Sequence, residues 1–591
     1  MAFDGTHAWM LLALIWSATF LSCAAADVAQ IISPDGVPGL NSSVITNYLQ
    51  ARSEYIDSEK ELRQDHAFKE SLSDNAKRAN AIVAAIRQNE IDQVWRKPGA
   101  IGQEDLEQFA GEMFAKARST IVTTELWKVV SRMPKGALLH AHLSAMQPFD
   151  VMLQALYDTD GMVISTSQAL TTELARQNAS ISIRHVNTTL EASEISLESE
   201  DYISGTEMPV KQAAASFAGG KDELFAYLKS RLVLEAGESV RHDLGVDAIW
   251  RTFQALFDVS GQLISYEPLL RTYYRNLLAG LVDDNISWVE IRHGWSPSLV
   301  PNGQEDDSPD LDFFWRVTVE EIERFQATDK GQDFWGVRFI WADLRGLNRT
   351  LILNNMIHAL ERKLAFPDLI SGYDLVQQED LGQPLVDLAP ELIFFQEQAS
   401  ALNVTMPFFF HAGETLGDGN ATDHNLFDAL LFDSRRIGHG FSLYKHPELL
   451  KDVKDNHVMV EVCPISSEVL RLATDVLHHP IGAMIAHGVA TAISNDDPSM
   501  MGQDAPGLSF DFYQVLQASD NLGLAGLGAL AENSVRWANF EDQSQVEWIR
   551  DITMGVNGKG IKAERLRQWH EKWEAFCQWV VDEYEDQYPE S

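Results

Sequence analysis

The stretch LLHAHLSA, 138–145, places two imidazoles two residues apart at the end of an apolar run. Residues two apart on an extended strand project to the same side, so His140 and His142 are able to chelate one cation. A packed strand end offers the same pair without any chemistry. Other apolar runs also end in polar residues: His411 and Glu414 in FFFHAGET, His439 in RIGHG, Asp496 and Asp497 in TAISNDDPS. Three imidazoles and one carboxylate hold Zn²⁺ and leave a coordination position for water, as metal-assisted hydrolysis requires. His140, His142, His411 and Asp496 are the expected ligands. Glu414 is placed to give and take a proton, and His439 and Asp497 to orient and deprotonate the attacking water. Each motif also has a plain structural reading: Gly413 opening a strand–helix turn, GHG as a turn, Asp-Asp-Pro starting a helix. Their common position at strand ends is what joins them.

Such a cluster needs a fold whose strand ends converge. After MPKG, short apolar runs alternate with longer amphipathic stretches, and strands are expected at 137–142, 288–292, 337–342, 370–376, 407–411, 436–439, 458–463 and 490–495. Helical stretches such as MIHALERKLA and HPELLKDV separate most of them. The pattern predicts an α/β fold, a closed (β/α)8 TIM barrel, in which all C-terminal strand ends face one rim. The barrel is expected over 131–550, with an insertion after strand 1 at about 150–215. The part of that insertion from 158 to 205 is rich in Ser, Thr and sequons, and reads as a glycosylated insertion with some β content or as a disordered loop. Ahead of the barrel, 27–130 carries apolar residues three and four apart, a helical extension that packs on the barrel or on a second subunit. At the other end, 551–591 is expected to be a helix with a frayed tail.

The chain has 591 residues, and its 86 acidic against 46 basic side chains give a formal charge of −40. That excess argues against binding to nucleic acid or an anionic membrane. Residues 1–26 combine an apolar run with Ala24-Ala25-Ala26 before Asp27, which fits a secretory signal peptide; a membrane anchor is the competing reading of a run that is short for a span. Sequons at Asn41, Asn178, Asn187, Asn285, Asn348, Asn403 and Asn420 agree with export. With Cys23 removed, Cys463 and Cys577 allow at most one disulfide, so the fold must rest on its apolar core.

Taken in order, MPKGALLHAH, FFFHAGET, RIGHG, EVCPIS and SNDDP resemble the adenosine deaminases, from about residue 45 to 560. The helical N-terminus, the MPKG lead-in and the insertion resemble the secreted adenosine deaminase-related growth factor subgroup. The resemblance implies a zinc barrel, one Zn²⁺ per subunit, that hydrolyses adenosine and 2'-deoxyadenosine to the inosines and ammonia, and a homodimer held largely by the N-terminal helices. It assigns the two histidines of HAH, His411 and Asp496 to the metal. Glu414 matches the acid that protonates purine N1, His439 the residue that positions the water, and Asp497 its partner, which also bonds N7. Ser144, Asp374 and Gln377, with Asp497, are the candidates for substrate contact. Two departures bear on the substrate: Leu143-Ser144 stands where an acid commonly follows HxH, and Gln377 where glycine is common. They leave open another 6-aminopurine or modified nucleoside as substrate. A different class, a non-catalytic extracellular signalling or binding protein on the same fold, gives no reason to keep an acid beside a metal set.

Overall fold

A glycine opens the strand that carries the histidine pair. Gly136 has φ of +77°, and a Cβ there would lie 2.7 Å from Ser534 Oγ and 2.9 Å from Ala531 O, so the end of MPKG admits no side chain. This computed structural model describes residues 36–95, 108–188, 195–294, 298–503 and 507–589. The expected leader 1–26 lies outside the described residues.

After β1 (Gly136–His142) the chain leaves for a separate antiparallel sheet of β2 (Met162–Thr166), β3 (Ile181–His185) and β4 (Met208–Pro209), in the order β3-β2-β4. These strands supply the β content expected in the insertion. It returns in β5 (Ile286–Arg292), which pairs in parallel with β1 and with β6 (Gly336–Leu344), and β6 pairs with β7 (Ile370–Val376). A second parallel sheet follows: β8 (His411–Ala412), β9 (Arg436–His439), β10 (Met459–Val462) and β11 (Thr491–Ile493), each beside the next. Parallel bridges Tyr373↔Phe408 and Ala141↔Asp496 join the two sheets at both seams. The eight strands β1 and β5–β11 therefore close into the expected barrel. The fifth was expected at 407–411; its pairing starts at Pro407, whose carbonyl accepts the Tyr373 N–H at 3.0 Å, yet the regular ladder is His411–Ala412.

Strands buried on both faces read as continuous apolar runs, and every residue of β5 and of β7 is buried. One set of side chains joins the large core shared with the helices. Another set, Ala137, Leu139, Trp288, Met459 and Ala492, packs with Trp537 in a small separate cluster. Helices such as Arg349–Ala365 and Pro447–Asp455 form crossovers between the strands. Contacts divide the chain between Leu62 and Arg63, so the helices expected ahead of the barrel fall in both units. The helix Ser43–Leu62 of the first unit buries none of its residues. In the second, the helix Asp74–Gln93 packs on the C-terminal helix Ile561–Tyr584. Cys463 and Cys577 are both free and buried, and among the described residues no helix is long and apolar enough to cross a membrane.

Near the end of β6, Asp343 is fully buried and accepts the Tyr373 hydroxyl at 2.7 Å. Burial pushes its carboxyl from 3.8 up to about 7, against the hydrogen bond from Tyr373. The folded state thus keeps a proton that the unfolded chain releases at lower pH, so this group's contribution to stability is complete below 3.8 and is lost as pH rises through about 7. Asp343→Asn is expected to gain on the wild type as pH rises from about 4 to about 7, by an amount on the order of 4 kcal/mol near neutrality and above. Urea unfolding at acidic and mildly alkaline pH measures it, and a gap between the two proteins that stays constant with pH would contradict the assignment.

Candidate active site

The seam that closes the barrel also builds the site. The His142 N–H donates to Asp496 O and the Asp496 N–H to His140 O, each at 3.1 Å, so the last strand is stitched to the first at the histidine pair. Asp496 sits at φ +59° and His439 at +61°, a left-handed conformation that residues with a Cβ adopt at a cost and that clusters at working sites. As a result His142 Nε2 lies 3.1 Å and His140 Nε2 3.3 Å from Asp496 Oδ1. The other carboxylate oxygen accepts from Ser466 Oγ of EVCPIS at 2.7 Å. The His140 ring is 4.5 Å from that of His411 and 4.7 Å from that of His439.

Two buried carboxylates decide which nitrogen each imidazole presents. His140 Nδ1 lies 2.9 Å from Glu461 Oε2, and His411 Nδ1 lies 2.7 Å from Asp374 Oδ2. Arg292 joins them, with Nε 2.7 Å from Asp374 and Nη2 2.6 Å from Glu461. Burial alone would raise Asp374 and Glu461; instead His411 and Arg292 hold Asp374 below the usual carboxylate range, and Arg292, Arg436 and His140 do so for Glu461. Both ionised carboxylates therefore accept an Nδ1–H, which leaves Nε2 of His140 and His411 as bare lone pairs. Burial pushes His411 down to about 3 and also lowers His142 and His439, so these rings stay neutral.

Donor atoms of His140, His411, His439 and Asp496 lie within 4.8 Å of one another, as do those of His142, Asp496 and Asp497. His140 Nε2, both nitrogens of His439, Glu414 Oε1 and Asp497 Oδ1 are buried without a hydrogen-bond partner among the described residues. Neutral imidazoles with bare nitrogens around an ionised carboxylate are the donor set of a divalent cation, and the residues fit one. All seven residues expected for metal and proton work are thus brought together. His439, given a supporting place from sequence, stands as near the centre as the expected ligands. Glu414 is buried, with Oε1 3.8 Å from His439 Nδ1. Burial, then the charges of Asp496 and Glu379, hold its carboxyl well above the usual range; burial and Asp496 do the same for Asp497.

The residues expected to touch substrate fare differently. Asp374 has both carboxylate oxygens engaged within the protein: its Oδ1 accepts the N–H of Leu375 and of His411, its Oδ2 accepts Arg292 and the His411 ring, and it is wholly buried. Gln377 takes φ +90°, a backbone suited to glycine, and its Oε1 accepts the Gly346 N–H at 3.0 Å, tying the side chain to the loop after β6. Ser144 lies half-buried in the turn Leu143–Ala145, on which the helix Val246–Ser260 packs. Leu143 is buried, and its carbonyl accepts the Tyr273 hydroxyl. Sequence reading missed Glu461, Arg292, Arg436 and Glu290; the available signal was a charge inside each of WVEIR, RRIGHG and VMVEV, where an apolar strand has no ordinary use for one.

The sequence model of a family described as adenosine deaminase matches residues 235–554. Adenosine deaminase of Phlebotomus duboscqi is 29% identical over 90% of this chain and 92% of its own. Adenosine deaminase 2-A of Danio rerio is 32% identical over 76% of this chain and 84% of its own. For adenosine deaminase 2 of Homo sapiens the identity is 30%, over 72% and 78%.

Replacing the carboxylate behind His411 tests the orienting role. Asp374→Asn leaves Arg292 and the imidazole without their shared charge, and is expected to weaken metal affinity by about 10- to 100-fold and stability by about 3–5 kcal/mol. Chelator competition and urea unfolding read the two; unchanged affinity would remove Asp374 from the site.

Proposed function

The chain belongs to the adenosine deaminase family and is a hydrolytic deaminase with a metal-binding site; on that premise we propose that it converts adenosine and 2'-deoxyadenosine, with water, to inosine and 2'-deoxyinosine plus ammonia. The observation that carries this reading is the buried Glu414, its carboxyl raised and its Oε1 unpartnered, beside neutral His439 in a nest of metal-competent donors. His140, His142, His411 and Asp496 would hold the metal, read as one Zn²⁺ per subunit. Zinc so held would acidify a water molecule and counter negative charge that develops on oxygen.

The chain's own residues do the rest. Glu414 arrives protonated because burial and neighbouring carboxylates disfavour its charge, and it gives that proton to purine N1. As N1 takes the proton, the ring accepts the electron pair displaced by oxygen attack at C6, and aromaticity no longer opposes the new C–O bond. His439, kept neutral with both nitrogens free of hydrogen-bond partners among the described residues, is the base for the water's proton. Asp497 orients that water and bonds N7. His439 then passes the water's proton to the exocyclic nitrogen, and the Glu414 carboxylate recovers a proton from the C6 hydroxyl, so that the C6–N bond breaks, ammonia leaves and the C6 carbonyl forms.

Export and dimerisation belong to the same proposal. The sequon asparagines 41, 178, 187, 285, 348, 403 and 420 are all exposed, as an extracellular glycoprotein requires. On the helix Ser43–Leu62, Val44, Tyr48, Leu49 and Tyr55 are more than half exposed, an apolar surface suited to a second copy. A second reading of the substrate, another 6-aminopurine, rests on the buried Leu143 and neutral Ser144 where a charged ribose contact is common.

Ammonia release from adenosine, deoxyadenosine, adenine, AMP and N6-substituted nucleosides, with metal analysis of the same samples, separates these readings. Adenosine and deoxyadenosine are expected to lead, and Glu414→Gln to keep its zinc while losing about 10²- to 10⁴-fold in turnover. No turnover of adenosine beside rapid turnover of another amine would replace the substrate; full turnover in the variant would remove Glu414 as the acid.

A further inference from the structure

The backbone that ends in the acid is gripped by two charged side chains from neighbouring strand ends, and neither touches the metal donors through its own side-chain atoms. Arg345 follows β6 and is fully buried; its Nη2 donates to Leu375 O and to His411 O, both at 2.8 Å. Glu379, in the turn after β7, takes the amides that follow: its Oε2 accepts the Gly413 N–H at 3.2 Å and its Oε1 the Glu414 N–H at 3.3 Å. Asn425 holds Glu379 in turn, donating from Nδ2 at 3.1 Å, while its own Oδ1 accepts the Leu385 N–H at 2.7 Å. Gly413 has φ +78°, and a Cβ there would lie 2.9 Å from Leu426, so the turn is confined from a third direction.

A turn that needed only hydrogen bonds would be served by a neutral Asn or Ser, which avoids the desolvation of a buried carboxyl. Glu379 is 1% exposed, and burial raises its carboxyl in spite of Arg345 and its three donors. What a carboxyl adds is two oxygens on one rigid plane, one for each of two successive amides. These fix the direction in which the chain leaves Gly413, and with it the place of the Glu414 side chain relative to the His411 imidazole.

We propose that Glu379 and Arg345 are positioning residues of the deamination reaction, which set the separation between the His411 ring and the Glu414 carboxyl so that the acid meets the purine ring in the transition state. This rests on the reaction proposed above. His411 keeps independent anchors, its N–H on Asp374 Oδ1 at 2.8 Å and its ring on Asp374 Oδ2 at 2.7 Å. Loosening the turn therefore moves the acid and leaves the metal ligand in place. Misplacement of a catalytic group by about 1 Å lowers the rate by about 10²-fold.

Glu379→Gln, nearly isosteric, turns an NH₂ toward one of the two amides and is the test. Zinc content and inosine affinity are expected to match the wild type, while kcat/KM for adenosine falls by about 10- to 100-fold. The inhibition constant of a dihydropurine ribonucleoside with a hydroxylated tetrahedral C6 is expected to rise by the same factor, because such a mimic feels the acid as the transition state does. A fall in kcat that leaves this inhibition constant unchanged means only fewer folded molecules and overturns the proposal, as does unaltered kcat/KM. Asn425→Ala, which frees Glu379 without replacing it, should show the same parallel at smaller size; no parallel there counts equally against the clamp. A wild-type protein that releases ammonia from none of the purines would instead refute the reaction, and the clamp with it.

Discussion

Everything in the barrel's upper half depends on a buried lattice of charge. Arg292 lies between Asp374 and Glu461, and Arg436 between Glu461 and Glu290, at 2.5 to 2.7 Å, all of them without exposed surface. Such groups lose so much hydration that a lattice of this kind is tolerable only when its hydrogen bonds are complete. Arg292 meets the condition by also donating to Leu139 O and Phe409 O, at 2.9 and 3.2 Å, and Arg436 by donating to Trp537 O at 2.9 Å. One network thereby spans β1, β5, β7, β9, β10 and the segment leading into β8. Register is held by charge as well as by apolar packing, since a slip would strand an ion in the interior.

The same lattice makes the site reactive in a defined way. Glu461 and Asp374 accept hydrogen bonds from Nδ1–H of His140 and His411, so the opposite nitrogens face inward as lone pairs before any cation arrives. Asp496 reaches them because the final strand is bonded to the first at that level, in a left-handed backbone conformation. The remaining carboxyls, Glu414 and Asp497, are far from Arg292 and Arg436 in their bonding and are pushed the other way, toward protonation. Buried carboxyls are thus divided into orienters held charged by the guanidinium and imidazole groups bonded to them, and an acid kept protonated by burial and by the carboxylates around it.

Much of this was legible in the chain. Metal and proton chemistry use few residue types, so His140, His142, His411, His439, Glu414, Asp496 and Asp497 stood out at strand ends, and the alternation of apolar runs with amphipathic stretches carried the barrel. What stayed hidden depends on partners distant in sequence. Asp374 reads from sequence as a candidate for substrate contact, and nothing local announces that Arg292 and His411 bond its carboxylate. Gln377 reads as a side chain in the pocket, whereas its positive φ sends its amide to Gly346. Glu461 and Arg292 are single charges within apolar runs, with nothing local to name their counterparts 169 residues apart. The short β8 was blurred because Phe408 bridges to Tyr373 ahead of the regular ladder, so an apolar run of ordinary strand length yields only two ladder residues.

The central claim is that the protein sets the tautomers of its ligands by itself. Nuclear magnetic resonance of metal-free protein carrying isotope-labelled histidine reports which ring nitrogen bears the proton. At neutral pH, His411 is predicted to be neutral with the proton on Nδ1 and a bare Nε2, and the contact with Glu461 predicts the same Nδ1 proton on His140. A proton on Nε2 of either ring, or a doubly protonated ring, would contradict the account, because the inward lone pairs would then exist only once the metal had made them.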